Sequence, residues 1–366
     1  MVKTALFEVI LGTYEEFLIG YKFNPKSQEL VQSFASHTHS SSLRCVSFSN
    51  PYLASGGADD RIVIYDLKTR KEHCMLTHHN ATVNCVKFTP QHTHLMSGSA
   101  DGMLSITRVG NWQVEKVWEK AHKGAAIIDI AIHSTGKLAL TLGADGSIRT
   151  WNLIKGRQAY AINLNSKYKQ AKLMQSINWS PNGVDFILCG GNTSDIWSIE
   201  SGGIKHNIEH KNKVTHALFF DENTLLVGFE NGELAKFSAE GDEIKVIQAH
   251  NSRVKSLDTQ NGYIVTCSSN GEIKIFDVDL DEIVKCSTGC RHTCLVIIPG
   301  EIKDEVETEN VEVVKEVKEK KIIKKAKVEV VVEKGVELED NEPIKKKKKV
   351  GFSTDGGKKL KKKKNL

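Results

Sequence analysis

The chain has 366 residues, 50 basic and 45 acidic side chains, a formal net charge of +5 and 40% hydrophobic residues. It contains no membrane-length apolar stretch and no signal peptide, which excludes a helical membrane protein and a secreted one. Its eight cysteines are scattered, mostly inside apolar runs, and read as free thiols of a reduced, intracellular, soluble protein.

At the amino end, Phe7 to Thr13, Phe17 to Phe23 and Leu30 to Phe34 are three strands with no first strand before them. From there one phrase recurs: a short apolar run, a tight turn, then an alternating strand closed by an aromatic and a polar residue. The closing positions are Tyr21-Lys22, Tyr65-Asp66, Thr107-Arg108, Trp151-Asn152, Trp197-Ser198, Phe237-Ser238 and Phe276-Asp277, spaced by 44, 42, 44, 46, 40 and 39 residues. A period of about 40–45 residues with a W-D-like ending is the signature of a β-propeller. One blade per repeat predicts an all-β, seven-bladed propeller over residues 1–300.

Residues Ala121 to Leu153 form the cleanest unit. Ile127 to Ile132 reads as a strand buried on both sides, Leu138 to Leu142 as a second, Ser147 to Trp151 as a third, and the segment around Gln158 to Leu164 as an outer fourth. Asp145-Gly146 supplies the hairpin, because a type I′ turn needs positive φ and Asp-Gly tolerates it. Asp59-Asp60, Asp101-Gly102, Asn231-Gly232 and Asn270-Gly271 hold the same place. His37, His79, His122, His210 and His250 precede these turns by 20 to 23 residues. A buried imidazole needs a partner, so these histidines, with Asp59, Asp101 and Asp145, are read as structural pairs assisted by a strand Ser or Thr. The repeat around Asn192 lacks the histidine and carries an insertion.

That insertion, Asn165 to Lys172, presents Lys167, Lys169 and Lys172 around Tyr168. Cations flanking an aromatic ring suit an RNA or partner loop through phosphate pairing and stacking; the alternative is an exposed connection between blades. Lys123, Arg253 and Arg291 follow histidine-bearing turns or lie near closure, positions suited to one rim. Near the end of the repeats, Cys286, Cys290, His292 and Cys294 cluster, but the spacing is not a usual zinc pattern and no further ligand is in view. They read as free thiols, and no metal or cofactor is expected. The last apolar run, Thr293 to Ile298, is left over and can complete the first blade, closing the ring and removing exposed edges.

The first 300 residues carry 30 basic and 30 acidic side chains, so the propeller is formally neutral. Residues 301–342 form a mixed-charge acidic linker with 9 lysines against 14 acids, and residues 343–366 a basic tail with 11 lysines and the single Asp355. Val311 to Glu337 alternates Val, Glu and Lys with little to bury, which fits disorder or a charged helix laid on a partner. Lys345, Lys346, Lys347, Lys348 and Lys349 form one cluster; Lys358, Lys359, Lys361, Lys362, Lys363 and Lys364 form another. Such clusters are read by nuclear import receptors and neutralise phosphates, the alternative being a solvated tail. Phe352 is the tail's one aromatic residue, so contact with nucleic acid is expected to be sequence-nonspecific.

The segments I-Y-D-L-K-T-R-K-E-H (Ile64 to His73), H-K-G (His122 to Gly124), G-K-L-A-L (Gly136 to Leu140) and R-T-W-N-L-I-K-G (Arg149 to Gly156) carry a resemblance. Over residues of about 1 to 300 the chain resembles the PAK-interacting WD-repeat proteins, a group that in fungi is a ribosome assembly factor. The resemblance implies a nucleolar factor for maturation of the large ribosomal subunit, docked on a preribosomal particle. In animals it implies a proposed negative regulator of a Rac/Cdc42-activated (PAK-type) protein kinase. Thr107-Arg108 departs from the family's W-D pair.

Catalysis finds no support: G-x-S-x-G, G-x4-G-K-[ST] and H-E-x-x-H are missing, and Gly56-Gly57 and Gly190-Gly191 sit in strands rather than before helices. A ubiquitin-ligase substrate receptor is disfavoured because Tyr65-Asp66 is followed by Leu67-Lys68 rather than by an arginine two residues on. The expectation is a non-catalytic scaffold of the nucleus and nucleolus. Its contenders are preribosomal assembly, favoured by the two lysine clusters, and kinase regulation.

Overall fold

Short runs of β-branched and aromatic residues, broken by Gly, Asn and Asp turns, form 28 antiparallel strands among the described residues, 7–168 and 171–300, of this computed structural model. The basic tail and the acidic linker lie outside the described residues.

The strands form seven four-stranded sheets. The first blade contains β1 (Phe7–Thr13), β2 (Leu18–Asn24) and β3 (Glu29–Ser36). The second contains β4 (Leu43–Ser49), β5 (Tyr52–Gly57), β6 (Ile62–Asp66) and β7 (Lys71–Leu76). The third is β8 (Val83–Phe88), β9 (His94–Ser99), β10 (Leu104–Arg108) and β11 (Val114–Trp118). The fourth is β12 (Ile127–Ile132), β13 (Leu138–Gly143), β14 (Ser147–Asn152) and β15 (Arg157–Asn163). The fifth is β16 (Met174–Trp179), β17 (Asp185–Gly190), β18 (Thr193–Ser198) and β19 (Gly203–His206). The sixth is β20 (Val214–Phe219), β21 (Thr224–Phe229), β22 (Glu233–Ser238) and β23 (Glu243–Gln248). The seventh is β24 (Val254–Gln260), β25 (Tyr263–Ser268), β26 (Glu272–Phe276) and β27 (Glu282–Ser287).

The last strand, β28 (His292–Pro299), returns to the start of the chain and pairs antiparallel with β1, Leu11 opposite Leu295 and Phe7 opposite Pro299. It is the inner strand of the first blade, and it leaves the seventh blade adjoining the first.

Seven apolar clusters fill the seven clefts between neighbouring blades. Leu43, Leu53 and Val63 of the second blade, for example, meet Ile10, Leu18 and Cys294 of the first. Because both faces of the middle strands look into such a cleft, they read as continuous apolar runs, whereas the outer strands are largely exposed.

Polar side chains on the inner strands tie each blade to the next. Ser47 Oγ accepts the Phe88 N–H at 3.2 Å, Asn84 Nδ2 donates to the Ile127 carbonyl at 2.7 Å, and Asp129 Oδ2 accepts the Ile177 N–H at 2.9 Å. Asn178 Nδ2 donates to the Ala217 carbonyl and Asp258 Oδ2 accepts the Ile297 N–H, each at 2.9 Å. At the junction of the first two blades, Arg70 grips buried Glu8 with both guanidinium nitrogens at 2.9 and 2.7 Å, and Ser33 Oγ donates to the same carboxylate.

Candidate interaction surface and its histidine relays

Four antiparallel strands place the turn between the second and third strands at the same rim as the link from each outer strand to the next blade. The histidines lie on those links, at the rim that also carries the turn of their own blade.

In the fourth blade the arrangement is complete. His122 Nδ1 lies 3.0 Å from Asp145 Oδ1, His122 Nε2 lies 2.7 Å from Thr141 Oγ1, and Trp151 Nε1 donates to that same hydroxyl at 2.8 Å. Burial outweighs Asp145 and holds the imidazole pKa below its usual value, so the ring is neutral. With Nδ1–H donated to the carboxylate, Nε2 accepts from Thr141, which accepts from Trp151: a relay running from third strand to turn. Burial opposes ionisation of Asp145, but the bonds from Ser147 and His122 outweigh it and its pKa is lowered. Gly143 is required here, because a Cβ at that position would run into the His122 ring.

The third blade repeats the pattern, with His79 Nδ1 3.2 Å from Asp101 Oδ2 and Nε2 2.8 Å from Ser97 Oγ. A neighbour that sequence reasoning passed over, His78, reaches Ser105 Oγ at 2.7 Å. In the seventh blade His250 Nε2 lies 2.8 Å from Thr266 Oγ1, but Nδ1 is met at 3.1 Å by Glu272, two residues beyond the Asn270 turn.

Three expectations need correction. The histidine paired with Asp59 is His39, not His37: His39 Nδ1 lies 2.9 Å from Asp59 Oδ1 and Nε2 2.7 Å from Ser55 Oγ, while His37 is exposed and bonds Glu16 at 3.1 Å. The distinguishing signal was distance to the following inner strand: His39, His79, His210 and His250 all stand four residues before it, and His37 stands six.

His210 does not reach its turn. It bonds Ser194 Oγ of the preceding blade at 2.6 Å and sits edge-on to Phe229 and Phe237. Val227 occupies the place of Thr141 in this blade and offers no hydroxyl. Burial alone takes the His210 pKa down to about 4.

Tyr168, read as an exposed stacking residue, points inward. Its hydroxyl donates to Asp195 and accepts from Trp197 Nε1 at 3.3 Å, and its ring packs on the apolar cleft between the fourth and fifth blades. In this repeat, which lacks the histidine, a tyrosine from the insertion supplies the polar contact instead. Lys167 and Lys172 are exposed on either side, the segment being anchored by buried Leu164 and Ala171. Lys169 lies outside the described residues, as do Lys345 to Lys349 and Lys358 to Lys364 of the tail.

On the same rim Lys123 is exposed, Arg253 pairs with Glu230 at 3.2 Å, and Arg291 pairs with Glu15 at 2.7 Å while stacking 4.1 Å over the Tyr14 ring. Cys294 is buried against Gly12, His292 Nε2 meets Thr288 Oγ1 at 2.8 Å, and Cys286 and Cys290 are half-buried. Among the described residues no three His, Cys, Asp or Glu side chains converge as metal ligands. No helix among them is long and apolar enough to cross a membrane. The relays pin the rim loops and hold the charged and aromatic groups on them in place.

The family model described as "WD domain, G-beta repeat" matches residues 28–66, 70–107, 113–152 and 241–277. The chain is 31% identical over 302 residues to the p21-activated protein kinase-interacting protein 1-like of Xenopus laevis, covering 79% of this chain and 81% of that one. It is 30% identical to the Homo sapiens p21-activated protein kinase-interacting protein 1, covering 81% and 78%. To Protein MAK11 of Saccharomyces cerevisiae it is 25% identical over 353 residues, covering 81% and 84%.

Proposed function

Since the chain belongs to the family of p21-activated kinase-interacting WD-repeat proteins, we propose that it is a scaffold that docks on a preribosomal particle in the nucleolus and assists maturation of the large ribosomal subunit. The observation that carries this reading is the division of charge along the chain. A formally neutral ring is followed by a tail whose last 24 residues carry 11 lysines. The rim supplies fixed loops for assembly factors or ribosomal proteins. The lysine clusters supply phosphate contacts to precursor RNA and a signal for an import receptor.

The test is RNA binding by the full chain and by a variant with Lys345 to Lys349 and Lys358, Lys359 and Lys361 to Lys364 changed to Gln. The variant should bind a structured RNA at least tenfold more weakly, and its salt dependence should flatten, since each lost phosphate contact removes about 0.7–0.9 from the log–log slope. Its melting temperature should not move. Unchanged RNA affinity would refute the tail's role.

A second reading has its own support: the names of the vertebrate relatives describe proteins that interact with p21-activated protein kinase. On that reading the same rim holds a kinase and restrains it. Pull-down of purified PAK-type kinase by the tail-substituted chain distinguishes the two, because kinase capture through the rim does not need the lysines.

A further inference from the structure

The seven inner strands leave a channel of about 310 Å³ along the axis of the ring. Near the rim just described, each inner strand contributes its second residue to the wall, and this ring contains Arg44 and Lys255 and no carboxylate. Neither side chain makes a hydrogen bond or ion pair with another described residue, whereas Arg253 close by is already paired with Glu230. Burial first, and then the charges of Arg253 and Arg44, push the Lys255 pKa down.

Deeper in the same cavity Lys87 is also without an ion pair. The carboxylates there accept backbone donors, Asp129 from the Ile177 and Ile130 N–H groups and Asp258 from those of Ile297 and Thr259, and the Lys87 charge acts on both without a direct ion pair. Burial raises the pKa of both, which weakens them as counter-ions. His216, on the wall, has a buried Nδ1 with no partner. Cations at the mouth of a narrow, low-dielectric channel focus their field into it.

We propose that the mouth of the central channel binds a small polyanion of the phosphate-ester class, gripped by Arg44 and Lys255. A guanidinium presents parallel donors that match phosphate oxygens, and an ammonium adds a point charge. The cavity's size admits a small solute and excludes a nucleic-acid duplex or a folded domain.

The test is calorimetric titration of inositol hexakisphosphate into the full chain whose eleven tail lysines are Gln, so that the tail cannot contribute. One saturable site is expected, weakened at least tenfold by Arg44→Gln with Lys255→Gln. Should that variant fail to fold, acylation of Lys255 in the unsubstituted chain gives the answer, with the probe expected to protect it. Binding that disappears with the tail lysines, survives the Arg44 and Lys255 changes, or leaves Lys255 unprotected would overturn the proposal.

Discussion

Replacing Thr141 by Val tests the relay of the fourth blade with almost no change in shape. The hydroxyl is shared by His122 Nε2 at 2.7 Å and Trp151 Nε1 at 2.8 Å, so valine strands one buried acceptor and one buried donor. Each unpaired group costs about 1–3 kcal/mol, which gives an expected loss of about 3 kcal/mol. At about 2–4 °C per kcal/mol for a domain of 150–250 residues, the melting temperature should fall by about 6–12 °C.

The sixth blade supplies the control, since it carries Val227 and Phe237 in the places of Thr141 and Trp151. Thr141→Val with Trp151→Phe removes the stranded indole donor, so the double change should cost less than the sum of the singles by about 1 kcal/mol. Urea unfolding of the four proteins measures this. A Thr141→Val protein within about 0.5 kcal/mol of the parent, the range of ordinary surface changes, would refute the relay.

Arg70→Ala leaves the Glu8 carboxylate buried without its guanidinium and should cost about 3–5 kcal/mol, a loss that the same urea titration reads directly. Tyr168→Phe deprives Asp195 and Trp197 of their shared hydroxyl, so hydrogen exchange should quicken around residues 164–173 while the other blades keep their protection. Burial holds the His292 pKa at about 4, below its unfolded value of about 6.5, so its contribution is fully present above pH 6.5 and is lost as the pH falls toward 4. His292→Phe should therefore flatten the stability–pH curve between pH 6.5 and 4.5 by on the order of 2 kcal/mol, with no change in slope above pH 7.

The ring was legible because a propeller repeats its instructions: a closing aromatic, an Asp-Gly or Asn-Gly turn and a period of about 40–45 residues recur whatever fills the cleft. Even Thr107-Arg108, with no aromatic, kept its place, since burial of Leu104 and pairing with β9 set the register. What escaped were the substitutes. Tyr168 acts across 27 residues of sequence on Asp195, and Arg70 across 62 residues on Glu8, so neither shows in local periodicity. His37 and His39 have equal claims by chemistry, and the pleat and the start of β4 decide between them. The channel cations were hidden for a similar reason: Arg44 and Lys255 come from opposite ends of the sequence and share a wall only once β28 stands between their strands.

Affinity purification of the tagged full chain from cells at moderate salt, with identification of copurified proteins and RNA, tests the scaffold reading most directly. Recovery of large-subunit precursor RNA together with assembly factors is the predicted result. Recovery of a PAK-type kinase without ribosomal material would contradict it.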